Sequence, residues 1–184
     1  MSREGDAVLT KLWSKMIGGS RVPEAPPSAG GRLFDPLPYS PLHVVDWSTY
    51  ETAYGSAMAI PGLLGQLAGN DHATAMAASH ELWCSLCHQH AYVSNAALPA
   101  LPYLFAAFNA AGEELKIEIL DIFAGFAICT STTARNTDWM NELRFQLRLQ
   151  APIFQRLAVS SNEEIASFCE QIVEALGLST LLAR

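Results

Sequence analysis

Three prolines set the rhythm of this chain. Ile60-Pro61-Gly62-Leu63-Leu64 with Leu67, Leu101-Pro102-Tyr103-Leu104-Phe105 with Phe108, and Ala151-Pro152-Ile153-Phe154 with Leu157 each place a proline ahead of apolar residues at helical spacing. The prolines are 41 and 50 residues apart, and 10 or 11 residues after each comes an acidic residue, Asp71, Glu113 or Glu163, that opens a second apolar periodicity. Proline suits the first turn of a helix, where its missing N–H is not needed. An acidic residue suits the positive N-terminal end of the next helix. The segments between, Ala68-Gly69-Asn70, Asn109 to Gly112 and Ser160-Ser161-Asn162, hold turn and capping residues. The pattern predicts three helix pairs.

The second helix of each pair carries its own apolar stripe. His72 to Leu86 has Met76, Leu82, Trp83 and Leu86; Glu113 to Cys129 has Leu115, Ile119, Ile122, Phe123 and Phe126; Glu163 to Leu176 has Ile165, Phe168, Ile172, Val173 and Leu176, with Gly177 as its C-cap. A pair of this size cannot bury its apolar face alone, so pairs recurring every ~40–47 residues stack into arrays. The fold class expected is all-α, a short right-handed HEAT/armadillo-like α-solenoid of about three pairs. Residues 135–150, with Trp139, Leu143 and Leu147, fit an extra helix before the third pair. Upstream, Val8, Leu9, Leu12, Trp13, Met16 and Ile17 mark an amphipathic helix over 6–17 that Gly18-Gly19-Ser20 stops. A stretch with Pro23, Pro26, Pro27, Pro36, Pro38 and Pro41 follows. The organisation read from the sequence is a helix over 1–17, a Pro/Gly-rich arm over 18–45 and a helical repeat domain over 46–184.

Composition narrows the class of function. The 184 residues are 50% hydrophobic and 16% charged, enough apolar material for a core, and the net charge of −7 argues against a nucleic-acid surface. No run of about 18 apolar residues suggests a membrane span. The start Met1-Ser2-Arg3-Glu4-Gly5-Asp6 lacks the apolar core and cleavage site of a secretion signal, so the four cysteines read as thiols and the cytoplasm is the expected compartment. The charge is localised. Residues 46–130 hold eight acidic residues against Lys116 alone, and so carry the whole −7. Such a surface attracts basic partners and speeds their association.

Within that acidic stretch lies a resemblance. Asp46-Trp47-Ser48, Ala53-Tyr54-Gly55-Ser56-Ala57 and Ile60-Pro61-Gly62-Leu63-Leu64, continued by His88-Gln89, Tyr92 and Ala100-Leu101-Pro102-Tyr103-Leu104, resemble a bacterial family of short HEAT-repeat proteins over about residues 46–108. Beyond that span the likeness is to helical repeats in general. Family members usually carry a glycine where this chain has His90. The family is similar to proteins found beside polymorphic toxins. The resemblance therefore implies a non-enzymatic immunity protein that binds and neutralises a cognate toxin.

Several motifs carry other chemistry on paper. Cys84-Ser85-Leu86-Cys87-His88 has the spacing of a c-type haem attachment site, which needs an exported chain. Cys84, Cys87, His88 and His90 offer zinc ligands, yet a structural site needs four that converge. A redox Cys-x-x-Cys belongs at a helix start, and this pair falls at a helix end. His72, His80, His88 and His90 have no nucleophile elbow or comparable signature around them. No catalytic residue, cofactor or metal site is therefore assigned. Two alternatives to the toxin-binding reading are a scaffold or adaptor and a metal-binding protein using the Cys84–His90 cluster.

The candidate partner surface is acidic. Glu114, Glu118 and Asp121 fall at i, i+4 and i+7 on one helix face, and the inner helices of solenoids line a concave binding surface. Glu81, His80 and His88 on the preceding unit, with Tyr92, extend the patch. Trp47, Tyr50 and Tyr54 are aromatic anchors for a partner or covers for the end of the array.

Overall fold

The computed structural model describes residues 42–131 and 137–178. The 6–17 helix and the arm as far as residue 41 lie outside the described residues. Among the described residues the secondary structure is mostly helical. A 3-10 turn (Trp47–Thr49), an antiparallel hairpin of β1 (Glu51–Thr52) and β2 (Gly55–Ser56) and a second 3-10 turn (Ala57–Ala59) lead into the helices. These are α1 (Ile60–Leu67), α2 (His72–Cys87), α3 (Ala97–Ala110), α4 (Glu113–Cys129), α5 (Asp138–Leu149), α6 (Ala151–Leu157) and α7 (Glu163–Ala175), with a 3-10 turn (His88–His90) directly after α2.

Local chemistry sets the ends of these helices. Asp71 caps α2 by accepting the backbone N–H of Thr74 at 2.9 Å, and Asn162 caps α7 by accepting those of Glu164 and Ile165. Gly177, at φ +67°, closes α7. Its N–H goes to the Glu174 carbonyl at 2.8 Å and that of Leu178 to the Val173 carbonyl at 3.0 Å, the paired bonds of a Schellman end. Pro61 and Pro152 stand in the first turns of α1 and α6. Pro102 does not. It lies inside α3, which begins at Ala97 and already has Pro99 in its first turn. The first four N–H groups of a helix have no intrahelical acceptor, so Pro99 costs α3 nothing, whereas Pro102 removes one interior bond. The three prolines therefore do not share one helix position.

Each pairing that the sequence suggests is present: α1 packs on α2, α3 on α4 and α6 on α7. Helices α2, α4 and α7 also pack in succession, as do α1, α3 and α5. Helix α4 is the hub. Its Phe123, fully buried, meets Phe105 with ring centroids 4.5 Å apart, Phe154 at 6.0 Å and Phe108 at 6.1 Å. Aromatic rings at these separations add to the stabilisation that their burial already supplies. Lys116, alone among eight carboxylates in its region, lies over the Phe108 ring at 5.7 Å.

Candidate functional site

The seam between α2 and α4 gathers most of the polar chemistry singled out in the sequence. His72, at the start of α2, contacts Glu114 at the start of α4, Nε2 to Oε2 2.9 Å. At the other end of the seam His90 contacts Asp121, Nε2 to Oδ1 2.8 Å, and the same nitrogen lies 3.2 Å from the Asp121 carbonyl. Nε2 cannot also accept the Trp83 indole N–H, which stands 3.5 Å away. The shorter contact decides the tautomer: Nε2 carries a proton and donates it to Asp121, and the indole lies against the ring edge at 6.1 Å between centroids. Glu118 lies between these two pairs on α4, half-exposed.

The turn that delivers His90 is unusual. Gln89 and His90 both have positive φ, 50° and 55°, where side chains other than glycine are strained. This is the position at which the resemblance leads one to expect glycine. Neighbouring packing holds it there. A Cβ placed on Gly125 of α4 would lie 2.8 Å from the Cys87 Sγ and 2.9 Å from the His90 Cδ2, so glycine is what lets the turn settle on α4.

The same turn joins the acidic stripe to the hairpin. The Tyr54 hydroxyl and His88 Nδ1 are 2.9 Å apart, with the rings edge to face at 5.7 Å. The Ala53 N–H donates to the Ser85 carbonyl and fastens the hairpin to the end of α2, and the Glu51 N–H donates to the Asn95 side chain and ties it to the segment before α3. Tyr54 is 68% exposed and Tyr92 45%. His80 and Glu81 are exposed on α2, His80 stacked on Trp83 at 6.0 Å and 17°.

Trp47 belongs elsewhere. It is 4% exposed, its Nε1 donates to the Leu42 carbonyl at 3.0 Å, and it packs in the core. It is unavailable as a surface anchor, because an indole can meet its one hydrogen-bonding need indoors. Tyr50 is half-buried beside it, with ring centroids 6.2 Å apart. Leu42, the first described residue of the predicted arm, is also core.

The Cys84–His90 cluster does not converge. Cys87 is buried over Gly125, His88 turns to Tyr54 and His90 to Asp121. No group of three or more candidate ligands comes together among the described residues. Burial pushes the thiols of Cys129 and Cys169 up to about 11 and about 12, and Cys87 further still.

The sequence reading missed the pairing of His72 and His90 with the acidic stripe, and the role of Gly125. Helical periodicity places residues on faces of one helix and carries no signal for which neighbour lies opposite. Comparison of the chain with protein-family models, curated proteins and solved structures finds no match to any of them. No helix among the described residues is long and apolar enough to cross a membrane.

Proposed function

We propose that this chain is a non-enzymatic protein-binding module that stacks its helix pairs as a short HEAT-like solenoid and docks a basic protein on the α2–α4 seam. The partner we propose is a bacterial toxin, neutralised in the cytoplasm of the cell that makes both, as the resemblance over residues 46–108 implies. One observation carries the binding reading. Exposed His80 and Glu114, with half-exposed Glu118 and Asp121, border the seam, and no lysine or arginine among the described residues forms an ion pair with the seam carboxylates. Exposed Tyr54 and half-exposed His88 adjoin the turn at its His90 end, whereas Glu81 falls on the opposite side of α2 from His72. Carboxylates that no lysine or arginine among the described residues pairs keep their field for an incoming cation. Fixed aromatic rings beside them supply contact area that slows dissociation.

The test uses the tagged full chain to capture partners from lysate of the source cell at low and then moderate salt, with mass spectrometry of what is retained. A single basic protein held near one-to-one is expected, and its association with Glu114→Lys/Glu118→Lys should slow by about tenfold or more at low salt. Asp121 is left intact in that variant because it holds the His90 turn. Association unchanged by the reversal would remove the steering role and favour a scaffold.

A further inference from the structure

Helix α2 also presents two metal-ligating side chains close together, His80 from the proposed docking surface and Cys84, which the partner reading does not use. His80 and Cys84 are one turn apart on α2, with Nε2 and Sγ 3.8 Å from each other. Tetrahedral zinc with Zn–N near 2.1 Å and Zn–S near 2.3 Å sets its nitrogen and sulfur ligands about 3.6 Å apart. The helix therefore presents the two atoms at nearly the edge length of such a site. The His80 ring is already oriented by its stack on Trp83. His80 is exposed and Cys84 half-exposed, so a hydrated ion can reach both, whereas Cys87 and Cys169 are buried.

We infer that His80 and Cys84 form a two-ligand chelate on the face of α2 for one divalent transition-metal ion of the zinc type. On binding, the thiol releases its proton to solvent, the thiolate and the neutral imidazole each donate a lone pair, and two bound waters are displaced. The remaining positions stay with water. Such a site is open, unlike a closed structural site of four protein ligands. It places a positive ion with exchangeable ligands on the otherwise acidic seam, where a side chain of a docked protein could replace a water.

The experiment is a cobalt(II) titration of the reduced full-length protein, followed by its thiolate-to-metal absorption band, and then displacement with zinc. One equivalent is expected, with the band lost in Cys84→Ser and the affinity of His80→Gln lowered at least the ~10-fold that loss of even an outer-shell partner costs. Cys169→Ser, with its thiol buried on α7, should bind like the parent. Circular dichroism checks that each variant is folded, and His80→Gln, altered only at an exposed site, serves if Cys84→Ser is not. Absence of the band at equimolar cobalt overturns the inference. So does a band that survives Cys84→Ser, or one that His80→Gln leaves unchanged in strength, since then only a hydrogen bond joins the pair.

Discussion

The α2–α4 seam and the α5–α7 contact use charge in opposite ways. Along the seam, side chains meet side chains: His72 faces Glu114 and His90 faces Asp121. Against α7, the charges of α5 meet backbone. Arg144 Nη2 donates to the Ala175 carbonyl at 2.9 Å and Arg148 Nη1 to the Leu176 carbonyl at 3.2 Å, at the negative end of the helix. Burial, and then the neighbouring Arg148, lower the Arg144 pKa, and its buried Nη1 has no acceptor among the described residues. The arginines hold a helix end in place, Arg144 half-buried and Arg148 exposed. At the seam the Glu114 side chain is 78% exposed, and Glu118 and Asp121 are half-exposed. The arginine charge closes a helix end, whereas the seam charge meets histidines at Glu114 and Asp121 and no lysine or arginine among the described residues.

Phe123 underlies both regions, because α4 packs on α2 and on α7 alike. Phe123→Ala should cost about 3–5 kcal/mol, and a single urea transition should report loss of both regions together. Two separate transitions would show that they are independent. Gly125→Ala tests the seam alone. Its new methyl group would overlap Cys87 and His90, at a cost of about 1–3 kcal/mol, and amide exchange should quicken around residues 88–91 with α7 spared. Next comes the contrast of charges: Arg144→Gln should lower stability by about 1 kcal/mol and Glu118→Gln by less than about 0.5. Equal effects in urea melts would erase the distinction between the regions.

The smallest effect concerns the cap of α2. The Thr74 hydroxyl, and then its N–H, hold the Asp71 carboxyl below its ordinary value of 3.8. The folded state thus binds that proton less tightly than the unfolded chain does. The contribution of the cap is complete above the unfolded value and is lost as pH falls through the folded one. Asp71→Asn, which still caps but does not titrate, should flatten the loss of stability below about pH 4. An acid limb identical to the parent's would assign that loss to other groups.

Residues that act within one turn were legible in advance. Asp71 capping α2, Gly177 closing α7 and the span Glu113 to Cys129 all follow from local rules of capping and periodicity. Pro102 misled because a second proline, Pro99, lies where the first turn of α3 actually forms. Trp47 stayed open between partner anchor and cover for the array end, because an indole before a repeat suits a surface and a core equally until its neighbours are known, and its burial removes the first. The acidic stripe was visible from its i, i+4, i+7 spacing; the histidines facing it were not, since 42 residues separate His72 from Glu114 and 31 separate His90 from Asp121.

The sequence by itself determined a mostly helical chain, where most of its helices begin and end, and which stretch carries the acidic charge. These are local matters, settled by capping groups, helical period and a count of carboxylates. Only the tertiary structure decided that α4 would be the hub and that Gly125 would admit a turn with two left-handed residues. Those outcomes depend on which surfaces pack and on χ angles chosen against neighbours. A linear pattern carries neither.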